Sequence, residues 1–262
     1  MKRLIVFLGI ICIVGAGVFF VQDQIKKNAK VLPATSVITS IPTPSPTIEI
    51  KQSVIIDVQE TPIRVSWAIV EPEKVELYSN LKNKQLSEQI KVDNSCQTLV
   101  SGGFYSKENT HLGLFIGNFS LVSQAVESPL LNGFLWTKDN NISIGSDFPD
   151  TSPKIALQTG PLLFKDSQPL LLAINNDEPN RRIVAATTAD DKLLFLAFYR
   201  DEAQFLGPLL ADLPQIIQTF QEKTNIEITD AINLDGGKHS VFITNYERLN
   251  ELEHIGSYFC AK

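Results

Sequence analysis

The sequence predicts a sheet-dominated domain of the α/β or α+β class: a twisted mixed β-sheet core with few helices, preceded by an N-terminal membrane anchor and a Pro/Ser/Thr-rich spacer. Three observations predict it. Short runs of β-branched and aromatic residues recur throughout residues 48–262. One stretch, Leu206 to Phe220, carries a pronounced helical stripe. Ahead of both lie an uncharged apolar run and a proline-rich tract that cannot build a packed core.

Residues 1–24 read as a transmembrane anchor or signal. Lys2-Arg3 precede an apolar run from Leu4 to Val21, at the lower edge of bilayer-spanning length and long for a cleaved signal core. No small-x-small cleavage site follows, so a retained anchor is favoured, with Lys2 and Arg3 cytoplasmic and the domain extracytoplasmic. Ile11 stands before Cys12 where a lipoprotein signal has a small residue, which disfavours lipidation. Residues 25–47, including Ile41-Pro42-Thr43-Pro44-Ser45-Pro46, form a linker of extended chain that lifts the domain from the membrane.

Within 48–262, strands are expected at Val54–Val58, Arg64–Val70, Thr98–Val100, Leu114–Ile116, Phe134–Trp136, Ile155–Leu157, Ile183–Ala186, Leu193–Tyr199, Ala231–Leu234 and Val241–Ile243. Many are apolar on both faces, which implies burial between layers. In the helical stretch, Leu206, Leu209, Leu210, Leu213, Ile216, Ile217 and Phe220 share one face. Pro208 suits its first turn, and Pro214 predicts a kink or a split into two helices.

With 44% hydrophobic and 20% charged residues among 262, the chain can bury one full core. A formal net charge of -6 excludes the basic stripe that nucleic acid requires. Serine-hydrolase elbows, His-Glu-x-x-His and phosphate-loop signatures do not occur. The cysteines and the histidines His111, His239 and His254 lack ligand spacing, so neither metal nor cofactor is expected. Cys96 and Cys260 are either a disulfide, which an oxidising compartment permits, or two buried thiols.

Four segments carry the residue types of a site. Ser101-Gly102-Gly103-Phe104-Tyr105 and Gln158-Thr159-Gly160-Pro161 both follow apolar strands, where glycines can present backbone amides to an anion. Arg181-Arg182 opens a strand with guanidinium groups suited to phosphate or carboxylate. Asp235-Gly236-Gly237-Lys238-His239-Ser240 places an acid at the end of an apolar strand. The plain alternatives are turns, a structural ion pair, and an Asp-Gly hairpin returning through Val241–Ile243.

This ordered set, with Leu162-Leu163 after Pro161, Arg182-Ile183-Val184-Ala185 and Asn233-Leu234-Asp235-Gly236-Gly237, resembles the uncovering-enzyme-like phosphodiester glycosidase family, whose domain exported bacterial proteins share. The resemblance implies hydrolysis of a sugar from a glycosyl-phosphodiester of an envelope glycan or glycopolymer. It implies Asp235 as the carboxylate facing the developing oxocarbenium ion and Arg182 as the phosphate ligand. Ser101, Gly102, Gly103, Thr159, Gly160, Gly236, Gly237, His239 and Ser240 would bind substrate. Ser101 stands where the family usually has Asn; after Leu-Asp-Gly-Gly the family usually has Gly or Pro and then Ser, whereas this chain has Lys238 and His239, with only Ser240 matching. A catalytically diverged, membrane-anchored module that binds anionic envelope glycopolymer is the alternative.

Overall fold

The computed structural model describes residues 52–138, 140–149 and 152–262. The expected anchor and linker lie outside the described residues. Among the described residues, no helix is long and apolar enough to cross a membrane.

The described residues open with β1 (Ser53–Val58), β2 (Thr61–Val70), β3 (Val75–Ser79), helix α1 (Ser87–Asn94) and β4 (Thr98–Ser101). It continues through β5 (Phe115–Gly117), β6 (Ser120–Ser123), β7 (Gly133–Lys138), β8 (Asn141–Gly145), β9 (Ala156–Thr159), β10 (Leu162–Lys165) and β11 (Gln168–Pro169). The last part holds β12 (Arg182–Thr188), β13 (Leu193–Tyr199), helix α2 (Leu213–Thr224), β14 (Ile228–Leu234), β15 (Phe242–Ile243), β16 (Arg248–Leu249) and β17 (Ser257–Ala261).

The expectation of a sheet-dominated fold with few helices holds, with the strands divided among three sheets. A seven-stranded sheet runs β1-β2-β13-β12-β14-β10-β11, and two five-stranded sheets run β16-β15-β4-β17-β3 and β6-β5-β9-β7-β8. The pairings within these sheets are antiparallel among the described residues.

Why β13 is continuously apolar follows from its position inside the largest sheet, between β2 and β12. Successive side chains of a strand point to opposite faces. Leu193, Phe195, Ala197 and Tyr199 enter a core shared with the other two sheets, while Leu194, Leu196 and Phe198 pack under α2. Both faces are therefore dry. Beneath α2 the contacts come from Leu213, Ile216, Ile217 and Phe220, the predicted stripe.

The helix itself starts later than its apolar pattern. Residues 206–209 precede a short 3-10 turn, Leu210–Asp212, and α2 begins at Leu213. Pro214 falls in its first turn, where a missing amide donor breaks no helical bond, so it starts the helix instead of kinking it. A smaller cluster around Ile90, Leu99, Val241 and Tyr258 contains a Cys96–Cys260 disulfide with a Cα separation of 5.3 Å.

Asp235 and Gly236 do not turn a hairpin. β14 pairs with β12 and β10, whereas β15 pairs with β4 and β16 in another sheet. The segment after Leu234 therefore crosses from one sheet to the next.

Candidate functional site

The crossing starts where β14 leaves its ladder: the Asp235 amide donates to the Gly102 carbonyl at 2.9 Å. Ser101 Oγ donates to the Asp235 carbonyl at 2.9 Å, so β4 grips both backbone groups of the acid. Next, the Gly237 amide donates to the Arg181 carbonyl at 2.8 Å, with Gly237 in the left-handed region at φ 59°. A side chain on Gly236 would place its Cβ 2.5 Å from that same carbonyl. Glycine at 236 is thus required for the chain to pass this close to Arg181, and the left-handed backbone at 237 favours a second one.

Arg181 holds the far side of the crossing. It is 1% exposed, and its Nε donates to Ser240 Oγ at 2.7 Å while Nη2 donates to the carbonyls of Ser240 and Asn250. Its guanidinium also lies 4.7 Å from the Phe205 ring centroid. Burial lowers its pKa to about 10, partly offset by Glu251.

The crossing forms one wall of a cleft of about 360 Å³, lined by Asp235, Gly236, Gly237, Lys238 and His239 together with Asn233, Gly160, Asn180, Arg182, Phe104, Leu130 and Leu210. Larger space exists around Pro72, Phe119 and Lys154, about 460 Å³, but no buried carboxylate lines it. Asp235 is 9% exposed and has no ion-pair partner within 4.0 Å among the described residues. Burial pushes its pKa well above the ordinary value, against a smaller lowering by the Gly236 amide.

Arg182 lines the same cleft, yet its guanidinium is already engaged. Nη2 contacts Asp177 Oδ1 at 3.0 Å and the Glu178 carbonyl at 2.5 Å, and Nε donates to the Pro208 carbonyl at 3.3 Å. Asp177 also accepts the Ala211 amide at 2.8 Å, tying the arginine to the turn before α2. Desolvation lowers the Arg182 pKa and Asp177 opposes it. The residue is a positioned cation, not a freely swinging fork.

The glycine cradle expected from Ser101, Gly102 and Gly103 is corrected by the structure. The Ser101 amide donates to the Val241 carbonyl at 3.0 Å, the Gly102 amide to the Ser257 carbonyl at 2.9 Å, and the Gly103 amide to Ser257 Oγ at 3.0 Å. These glycines are packing residues. Cβ atoms there would stand 2.5 Å from Ser257 Oγ and 2.7 Å from Leu157 Cδ1. Thr159 is also behind the cleft, fully buried, with Oγ1 donating to the Asn233 carbonyl. Ser240 is buried beside Arg181 and its hydroxyl bonds the Gly237 carbonyl at 2.7 Å. Gly160, Gly236, Gly237 and His239 do reach the cleft.

Two residues of the quoted segments were given no role by sequence reasoning. Asn233 is 2% exposed, lines the cleft, and leaves its Oδ1 without a hydrogen-bond partner among the described residues. Such a buried orphan costs about 1–3 kcal/mol. Its signal was its place two residues before Asp235, at the end of β14. The second feature is Tyr105, whose hydroxyl donates to the His254 carbonyl at 2.7 Å and lies 2.9 Å from His239 Nδ1. His239 Nε2 in turn lies 3.5 Å from Glu253. Burial raises the Tyr105 pKa to about 12, with added repulsion from Asp235 and Glu253, so the phenol stays protonated. No spacing in the chain announces a contact 134 residues apart.

The phosphodiester glycosidase family model matches residues 94–257, which spans β4 to the first residue of β17 and every element of the cleft. The chain belongs to the phosphodiester glycosidase family. No curated protein matches the sequence. This family member is similar in fold to the catalytic domain of zebrafish N-acetylglucosamine-1-phosphodiester alpha-N-acetylglucosaminidase, auto-inhibited by its pro-peptide: TM-score 0.62, 12% identity, 80% of this chain and 81% of that one covered. It is also similar to a hypothetical protein from Synechocystis, with TM-score 0.59, 12% identity, and 79% and 61% covered. At such identities the likeness concerns the fold. Asp235 and Arg182 both line one cleft, whereas Ser101, Gly102 and Gly103 do not.

Proposed function

We propose that this chain hydrolyses a glycosyl-phosphodiester of an envelope glycan or glycopolymer at the sugar side, leaving a phosphomonoester. The observation that carries the reading is Asp235, a buried carboxylate with no cationic partner among the described residues, at the head of a cleft that Arg182 also lines. A phosphate leaves as an anion and needs no proton, so the second carboxylic acid of an ordinary glycosidase is dispensable. Asp235 faces the anomeric carbon and stabilises or captures the oxocarbenium ion. Arg182, fixed by Asp177, is placed for the departing phosphate, and Lys238 stands exposed on the wall. Phe104 and Leu130 supply an apolar surface for a sugar ring. Held by its N-terminal apolar run, the domain works on the extracytoplasmic side of a membrane.

The test incubates the purified full chain with the methyl phosphodiester of α-N-acetylglucosamine 1-phosphate, and with glucose and galactose counterparts, and measures free sugar. Release is expected with at least one of them, and Asp235→Asn is expected to reduce it on the order of 10²–10⁴-fold without unfolding the chain. Undiminished turnover by Asp235→Asn would defeat the assignment of the acid. The engaged state of Arg182 favours one second reading, a diverged module that binds anionic glycopolymer without turnover. Salt-sensitive binding with no sugar release from the panel would select it.

A further inference from the structure

Arg182 and Lys238 both line the cleft; they leave adjoining stretches of backbone and are drawn to different segments. The Gly237 amide donates to the Arg181 carbonyl at 2.8 Å, so the two stretches meet one residue short of each cation. Asp177 and the Pro208 carbonyl then draw Arg182 toward the short turn before α2. Lys238 faces Glu253 instead, on the loop ahead of β17, and the amides of Leu252 and Glu253 both donate to the Lys238 carbonyl.

Unlike the arginine, Lys238 keeps its donors unspent. Nζ stands 3.8 Å from Glu253 Oε1, beyond hydrogen-bond distance, and makes no hydrogen bond among the described residues. Glu253 is shared with His239, whose Nε2 lies 3.5 Å from its other oxygen, and an exposed pair of this kind contributes little. Beside it Asn180 lines the same cleft, half-buried, with a carboxamide that makes no hydrogen bond among the described residues. Its Oδ1 lies 3.5 Å from where a Cβ on Gly237 would stand, next to Lys238. The Asn180 backbone is held in place, since the Arg181 amide donates to the Phe205 carbonyl at 2.8 Å and Gly207 admits the Asn180 carbonyl where a Cβ would stand 2.6 Å from it.

We infer that Lys238 and Asn180 hold a second anionic group of the substrate, so that the preferred substrate is a glycosyl-phosphodiester carrying a further phosphate, as an internal unit of a phosphate-linked polymer does and a single capped phosphate does not. The inference rests on the reading of the cleft as a sugar-phosphate site. Arg182 takes the phosphate whose bond to the sugar breaks, and the cation drawn the other way is left for its neighbour in the polymer. Lysine acts on phosphate as a compact point charge with three donors, and the Asn180 Nδ2 adds a neutral donor to the same anion. An anion entering here exchanges only the loose contact with Glu253, whereas one entering at Arg182 meets a guanidinium already hydrogen-bonded on two nitrogens.

Binding decides it, measured by titration calorimetry at low ionic strength on the full chain carrying Asp235→Asn so that nothing is turned over. The probes are α-glucose 1-phosphate and two molecules with a second phosphate, α-glucose 1,6-bisphosphate and the phosphodiester-linked dimer of α-glucose 1-phosphate. At least one of the latter should bind roughly tenfold or more tighter than the monophosphate. Adding Lys238→Gln should abolish that gain while leaving the monophosphate affinity within about threefold, and Asn180→Ala should reduce the gain. Lys238 is exposed, so its substitution leaves the fold intact. Three results would each overturn the inference: both larger probes binding no better than the monophosphate, a gain that survives Lys238→Gln, or a Lys238→Gln loss equal for one phosphate and two. A Lys238-dependent gain alongside absent sugar release by the unsubstituted chain would remove the hydrolase reading and leave this one standing. Sugar release without any gain would do the reverse.

Discussion

Arg181 Nε donates to Ser240 Oγ at 2.7 Å, so a buried guanidinium just ahead of β12 fastens the loop that carries Asp235 from one sheet to the next. Adjacent arginines have thereby taken different duties. Arg182 lines the cleft, and Arg181 clasps its wall from behind.

Arg181→Ala is expected to destabilise the domain by about 3–5 kcal/mol, because it strands the buried carbonyl of Ser240, loses the bond to the part-buried Asn250 carbonyl and removes the packing on Phe205. Arg181→Lys should recover little of this, since an ammonium cannot reproduce the planar fork. Urea unfolding midpoints of the three proteins measure it. Wild-type stability in Arg181→Ala would show that the clasp is ornamental.

Much of the fold was legible because its largest sheet is apolar on both faces. Leu193–Tyr199 and Ala231–Leu234 announce themselves as strands, and the stripe from Leu213 to Phe220 as a helix. Two of the elements overlooked show why. Ser257–Ala261 packs between β4 and β3, and Ser87–Asn94 has little apolar periodicity. In the same way Asp235 was readable from its strand-end position, but the role of Gly102 and Gly103 depended on Ser257, 154 residues beyond Gly103. A glycine that admits another backbone and one that admits a ligand have the same sequence signature.

The Cys96–Cys260 bridge joins residues 164 apart and ties the final strand to the segment after α1. Closing so long a loop restricts the unfolded chain, so reduction is expected to lower stability by about 2–4 kcal/mol. Differential scanning calorimetry with and without dithiothreitol reads this as a lower Tm, and Cys96→Ala should reproduce it. An unchanged Tm after complete reduction, confirmed by thiol titration, would contradict the expectation.

Asp235 ties stability and activity to pH with opposite signs. Its pKa in the folded chain is raised by burial, whereas in the unfolded chain it is an ordinary carboxyl near about 4. Below that value both states are protonated and the residue contributes nothing. As pH climbs through the window up to the raised value, the unfolded state gains ionisation that the folded state resists, and stability is lost. Asp235→Asn is therefore expected to be more stable than wild type at neutral pH, by a margin that narrows as the pH falls toward about 4. The proposed hydrolysis needs the ionised form, so kcat/KM should decline with acidification through the same raised pKa, at higher pH than an exposed carboxylate would give. Thermal unfolding of both proteins across pH 4 to 8, together with a pH–rate profile, measures the two limbs. A stability margin constant with pH would mean that the buried acid is not the group that titrates.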